Sequence, residues 1–589
     1  KYADSAYVDV FLNGICLVPG TDYTASTKTS IVLTQAASLN DTLEVVAYDI
    51  ASMSDMSASN GGTFQADVTF AAGADIITAS AGTDNVRLGE DAGASIASGG
   101  NYNVVIGKDA GAALTTGDSN VAVGIDALYA TTTSNHNVAI GKGSMGSNVT
   151  GEKNIAIGSA SLDANTTGDQ NVAVGNSALG SMNITNGSAS YNTAVGADAG
   201  KSITTGVENT IVGALAGDAL TTGEMTALGF RAGSSATTSV GNVLIGSLAG
   251  DQLTTGGNNT ALGSQALATA TTATNNVAIG HDALRYNTAS NNTAVGSNAM
   301  DATTSGDANV AVGTSALTAH TTGRFNTGCG YEALYSMTTA SFNTALGQAA
   351  LSACTTGGLN IGVGTGAGSG ITTGERNICL GVEAGQNNVA VTTGVDNIFI
   401  GYQARANAAT ATRQYVLGKQ VTCVGDDNFT LGHGATDSNI AFGGTSITAP
   451  SDERYKEEIA TSTAGLSFIN DLRPVTFKWK KAKDLPNDHE AYIADGEEGC
   501  DDRVMLSKGE TNHGFIAQEV KTAIDAHSEI KDGFKMWAED QRYDADGNII
   551  ADGRQRVAPA ELIPILTKAI QELSAKNDAL EARIATLEG

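Results

Sequence analysis

One short phrase recurs across residues 86–443: Asn, a small or branched residue, Ala, a branched residue, Gly. It reads Asn120-Val-Ala-Val-Gly124, Asn137-Val-Ala-Ile-Gly141, Asn154-Ile-Ala-Ile-Gly158 and Asn171-Val-Ala-Val-Gly175, so a glycine closes the phrase about every 17 residues. The beat runs on through Gly213, Gly263, Gly313 and Gly364 to Gly418 with small insertions, giving roughly 20 copies. Self-similarity at a fixed short period specifies a solenoid or fibre and excludes a globular enzyme fold over this stretch.

The chemistry of the unit explains the repeat. Val-Ala-Val alternation suits a short strand with branched residues on one face and Ala on the other, and the following Gly permits a turn that a side chain would obstruct. A second apolar pair follows at Ala127-Leu128, Ala178-Leu179 and Ala283-Leu284, and the unit turns again at Thr115-Thr116-Gly117 or Thr166-Thr167-Gly168. One such coil cannot bury its apolar face, so neighbours stack with parallel strands. At about 4.8 Å per coil, the stack is on the order of 100 Å long. Aromatic residues are only 5% of the chain, so Ala, Val and Gly do the packing and the coils are thin. Thin coils gain from bundling with sister chains. The expected class is mainly β: an elongated β-solenoid shaft, for which the resemblance described below implies a trimer, a small N-terminal β module, and an α+β C-terminal region ending in a coiled coil.

Composition divides the 589 residues into parts. Residues 1–50 read as a β module: strands Val8-Asp-Val-Phe-Leu12, Ile31-Val-Leu33 and Leu43-Glu-Val-Val-Ala-Tyr48, with a turn at Asn13-Gly14. Residues 51–85, rich in Ser, Ala, Gly and Met, read as a linker with a strand pair at about 64–70 and 75–78. The shaft occupies 86–443, its last coil ending Ala441-Phe-Gly-Gly444, and a junction covers 444–450. From Ser451 to residue 589 charged residues and both Trp side chains enter, marking a different domain. The net charge of −29 disfavours nucleic acid or an anionic membrane as partner. No run approaches a membrane-spanning length, and the opening residues do not read as a basic-then-apolar signal peptide, so membrane insertion is not expected.

No cofactor and no metal site are expected. The cysteines Cys16, Cys329, Cys354, Cys379, Cys423 and Cys500 lack paired spacing and read as buried small apolar residues. His136, His281 and His320 fall at variable turn positions. Asp544-Ala-Asp-Gly-Asn548 lacks the remaining calcium-loop ligands and reads as a hairpin turn.

The Asn-x-Ala-[Val/Ile]-Gly array resembles the heads of trimeric autotransporter adhesins and the shafts of phage tail fibres. Val10-Phe-Leu-Asn-Gly14 with Asp22-Tyr-Thr24 is similar to a module found near the virion-proximal ends of such fibres. Four further blocks are more specific: Ser451-Asp-Glu-Arg-Tyr-Lys456, Leu466-Ser-Phe-Ile-Asn-Asp-Leu-Arg-Pro-Val-Thr-Phe-Lys-Trp479, His513-Gly-Phe-Ile-Ala-Gln-Glu-Val520, and the run from Glu561 to Leu573. Together they resemble the C-terminal intramolecular chaperone of endosialidase-type tail spikes and fibres, a self-cleaving peptidase family. The resemblance implies Ser451 as nucleophile, Lys456 as general base and Pro450-Ser451 as the scissile bond, with Asp452 and Arg454 holding the loop. Tyr455 stands where the family usually has Leu. A lysine neutralised by burial can take the proton of a serine hydroxyl, which is otherwise a poor nucleophile.

Residues 561–589 carry a heptad seam. Ile563, Ile570, Asn577 and Ile584 share one position, Leu566, Leu573, Leu580 and Leu587 the other, so a parallel coiled coil is expected with Asn577 fixing its register. The pattern allows a dimer or a trimer; the resemblance implies a homotrimer. The reading is a virion tail fibre for host attachment, docked to tail or baseplate proteins through its N-terminal side and contacting a host surface glycan or protein. A bacterial surface adhesin would need a signal peptide and an anchor. A glycan depolymerase would need paired carboxylates in a groove, whereas Asp118, Glu152 and Asp169 fall in turns.

Overall fold

The computed structural model describes residues 8–24, 30–47, 81–185, 188–386, 389–444, 446–487, 491–503, 509–540, 542–543, 549–550 and 555–589. The strand pair expected at 64–70 and 75–78, and the turn at 544–548, lie outside them. The chain forms two compact units, Lys1–Ala449 and Pro450–Gly589.

In the first unit, Val8–Leu12 pairs antiparallel with Ile15–Cys16 and with Leu43–Ala47. The Asn13-Gly14 turn takes two positive φ angles, 53° and 83°, the geometry that suits a tight hairpin. A second pair, Tyr23–Thr24 with Val32–Leu33, places Tyr23 against Val8 and Val10 as a small core. The strands at Ile15–Cys16 and Tyr23–Thr24 are too short for an alternation pattern to reveal.

From Val86–Leu88 to Asn428–His433, twenty-one short strands pair parallel, each with the next. Register is strict: Ala122 faces Ala139, and Ala139 faces Ala156. The final segment differs from the expected coil. Thr436–Ala441 folds back antiparallel on Asn428–His433, a hairpin that covers the last strand's edge. Such covering blocks the edge-to-edge pairing an exposed strand invites.

Within each coil the alternation resolves with Ala inward. Ala122, Ala139, Ala156 and Ala173 are fully buried, while the flanking branched residues face out and stay partly exposed. The second apolar pair also points in; Leu128, Leu179 and Leu284 are completely buried although their φ is 51°, in the left-handed region. That conformation costs roughly 1–2 kcal/mol, against about 1.5–3 kcal/mol gained by burying a leucine side chain. The closing glycine has a separate cause. A Cβ on Gly124 would lie 2.7 Å from the carbonyl carbon of Gly141 in the next coil, so only glycine allows the close stacking.

The asparagine of the phrase is buried and forms a ladder through the interior. Asn120 donates its backbone N–H to Asn103 Oδ1 (2.9 Å) and its side-chain amide to Asn103 Oδ1 (3.1 Å) and to the Ser134 carbonyl (2.8 Å). Asn137 repeats the pattern on Asn120. The ladder is interrupted at Met225, whose backbone N–H still donates to Asn209 Oδ1, and it reaches Gln414, which donates to Asn397. A buried amide that satisfies both its donors and its acceptor serves here where a shorter or charged residue would leave groups unpaired.

His320, at one of the variable turn positions, is fully buried, with Nδ1 3.1 Å from Thr303 Oγ1, and burial pushes its imidazole down to about 4. Cys354, Cys379, Cys423 and Cys500 are buried as read, whereas Cys16 is exposed and Cys329 half-buried on the outward face.

The second unit packs three helices, α1 (Leu466–Asp471), α2 (Ala517–Ala526) and α3 (Ile563–Glu588), around Phe468, Val520, Ile524, Met536 and Ile565. Val475–Phe477 pairs antiparallel with Asn512–Gly514, and Trp537–Glu539 with Gln555–Val557. α3 enters through a 3-10 turn at Pro559–Leu562 and carries Pro564 in its first turn, where proline needs no partner for its missing N–H. Glu572 of α3 accepts the Leu466 backbone N–H at 3.0 Å, tying α3 to the start of α1. No helix among the described residues is long and apolar enough to cross a membrane.

Candidate functional site

The motif that opens the second unit forms one compact turn. Asp452 caps a 3-10 turn at Glu453–Tyr455, its Oδ1 accepting the Arg454 backbone N–H at 2.9 Å. Arg454 also donates its Nε to Asp452 Oδ1 at 2.9 Å, and this side-chain hydrogen bond holds the carboxyl below its usual range. Lys456 follows as the C-cap, its N–H donating to the Glu453 carbonyl at 3.0 Å.

The turn folds residue 456 back toward residue 451. Lys456 Nζ lies 2.7 Å from Ser451 Oγ, hydrogen-bonding distance for proton transfer between a hydroxyl and an amine. The structure therefore brings together the expected nucleophile and base, with Asp452 and Arg454 shaping the loop between them. Pro450, Ser451 and Lys456 are all exposed. A lysine acts as a base once burial disfavours its charge, and Lys456 is exposed among the described residues, so the burial expected of this base is not built into the turn.

The seam residues share one exposed stripe on α3. Ile563, Leu566, Ile570, Leu573, Leu580, Ile584 and Leu587 are each 40–84% exposed. Asn577 lies among them, its amide donating to Glu581 Oε1 at 3.0 Å. The flank of the same helix beside this stripe buries Ile565 and Ala569 against the unit's core. Two faces on one helix divide the labour: one holds the fold, the other stays unpartnered.

The shaft acids do not converge on a groove. Asp118 Oδ1 accepts the Asn101 N–H (2.7 Å), Glu152 Oε1 accepts the Asn135 amide (2.8 Å), and Asp169 Oδ1 accepts the Glu152 N–H (2.7 Å). They form a stacked edge ladder, each carboxylate occupied by its neighbour coil. Among the described residues no group of three or more His, Cys, Asp or Glu is placed to hold a metal ion.

Two features escaped the sequence reading. The outward sheet face of the shaft bears no charged residue in either of its two rows from Val104 to Leu417, a fact visible only once Ala is known to face inward. His527, at the C-cap of α2, holds Asp471 Oδ2 at 2.8 Å and Glu529 Oε1 at 3.0 Å with its two ring nitrogens. The Asp471 bond first, then that to Glu529, raises its imidazole above the ordinary range.

Residues 451–528 match the family model described as the chaperone of endosialidase, a peptidase family, and the match begins at Ser451 itself. No curated protein and no solved structure matches the chain.

Proposed function

We propose that the protein is a trimeric virus tail fibre or spike whose C-terminal unit assembles the shaft and then removes itself. The α3 seams of three chains associate first and align the shafts, whose uncharged outward faces then pack together. Contiguous apolar surface on that scale marks an interaction site. Assembly covers the Ser451 turn and desolvates Lys456, which becomes the base. Ser451 Oγ attacks the Pro450 carbonyl carbon as Nζ takes the hydroxyl proton. The C–N bond breaks with that proton passing to the leaving amine, and water hydrolyses the resulting ester to leave a carboxylate on Pro450.

The observation that carries this reading is the 2.7 Å contact between Lys456 Nζ and Ser451 Oγ, at the first residue of the matched segment. Host attachment and a place in the virion follow from the fibre organisation: residues 1–50 dock to tail or baseplate proteins, and the shaft contacts a host surface glycan or protein.

Purified full-length protein should separate, without added protease, into a fragment ending at Pro450 and one beginning at Ser451, read by gel and N-terminal sequencing. Ser451→Ala should abolish the cut, and Lys456→Ala should slow it roughly a hundredfold or more. Cleavage that survives Ser451→Ala overturns the assignment.

A further inference from the structure

Because its strands run across the stack, the outward sheet face has two long edges. One is built from the residue two before each strand, the other from the residue two after. The leading edge sits in the left-handed region in nearly every coil, and most coils fill it with polar residues such as Lys153, Gln170 and Asn258. Tyr102 and Tyr191 stand there singly, and two successive coils both place aromatics there: Phe325 (φ 56°) before Thr327–Cys329, and Phe342 (φ 63°) before Thr344–Leu346. Their rings stack at 5.3 Å and 20°, yet the side chains remain 51% and 55% exposed. On the trailing edge of the first of these coils stands Tyr331, also 51% exposed. Among the described residues it is the one coil with an aromatic at both edges.

Aromatic side chains in a conformation that L residues adopt at a cost, and left half in water, call for a partner. We propose that this coil is an inter-chain clasp, in which Phe325 and Phe342 of one chain pack on Tyr331 of a second copy and fix the axial register of the shaft. The inference rests on the trimer reading above. In a closed ring each chain meets the next through unlike edges, the leading edge of one against the trailing edge of its neighbour. A slip of one coil returns the Val, Thr and Ile rows to nearly identical neighbours, so those rows carry little register information. It brings Tyr331's place to Thr314 or Gln348 instead, and the aromatic contact is lost.

The test places p-benzoylphenylalanine at residue 342 of the full-length chain, assembled from mixed isotope-labelled and unlabelled copies, irradiated and mapped by mass spectrometry. The clasp gives inter-chain cross-links from residue 342 to residues 327–335, and Tyr331→Ser lowers their yield roughly tenfold. The same probe at residue 325 gives an independent reading should the first variant fail to assemble. Sedimentation separates the two ways to fail. A trimer whose cross-links fall elsewhere, or are insensitive to Tyr331→Ser, overturns the clasp and leaves the trimer standing; a monomer overturns the trimer reading and the clasp with it.

Discussion

The shaft and the C-terminal unit solve opposite problems. In the shaft most coils make the same contacts as the last: a small inward residue, usually Ala, a buried Asn on the ladder, a Gly that admits close stacking. In the C-terminal unit no contact is repeated; a small core around Phe468 supports a helix whose other face is left open. Repetition makes each interface good and every register nearly equivalent, so identical shafts could pair out of step. An aperiodic unit with one seam has a single best alignment. In the proposed assembly stability comes from the first and alignment from the second.

The seam is where the contrast should break most completely. Leu573→Asp with Leu580→Asp puts two charges into the exposed stripe of α3 without touching Ile565 or Ala569, so the unit should fold but remain monomeric. The full chain should then aggregate, which sedimentation reads as loss of the defined oligomer. A smaller effect is expected within the repeat. Asn309→Ala leaves the Asn326 backbone N–H (2.9 Å) and the Gly323 carbonyl (3.0 Å) without their partner, at about 1–3 kcal/mol for each unsatisfied group. Hydrogen exchange should show the loss confined to coils near residues 292–326, because each coil leans on its immediate neighbours.

The two histidines sharpen the comparison with opposite signs. His320 is buried neutral and its folded value is depressed to about 4. Its share of shaft stability is full above the ordinary histidine value of about 6.5 and drains away as pH falls toward 4, by about 3 kcal/mol at most. His320→Met, the residue type found at Met337 in the same interior column, should flatten that dependence in thermal melts. His527, facing Asp471 and Glu529, has a raised value, so its contribution is full below the ordinary value and is lost as pH rises through the raised one. His527→Gln should therefore matter more to the C-terminal unit at pH 6 than at pH 9. Shared signs for the two would contradict the environments described.

Much of this was legible because the repeat is periodic. The period, the parallel stacking, the turn glycines, the Ser451 motif and the α3 seam are all patterns in one dimension. What the pattern left open was which side faces in. Val-Ala-Val alternates equally well with either face buried, and only the stacked coils show that Ala lies inside and Val outside. The same ambiguity hid His320, since its column also holds Thr303, Met337 and Cys354, residues with no common polarity to mark it as interior. The closing hairpin at Thr436–Ala441 was read as one more coil because its composition continues the repeat while its direction reverses. At the candidate site, the resemblance carried by the motif implied that Ser451 and Lys456 belong together, but exposure is a three-dimensional property, and the bare surface around Lys456 could not be read from the motif.

The central claim is that the C-terminal unit aligns the shafts and then leaves. Native mass spectrometry of the assembled wild-type protein tests it in one spectrum. The account predicts a trimer of chains ending at Pro450, together with separated chains beginning at Ser451. Intact 589-residue chains sedimenting and flying as monomers would contradict it.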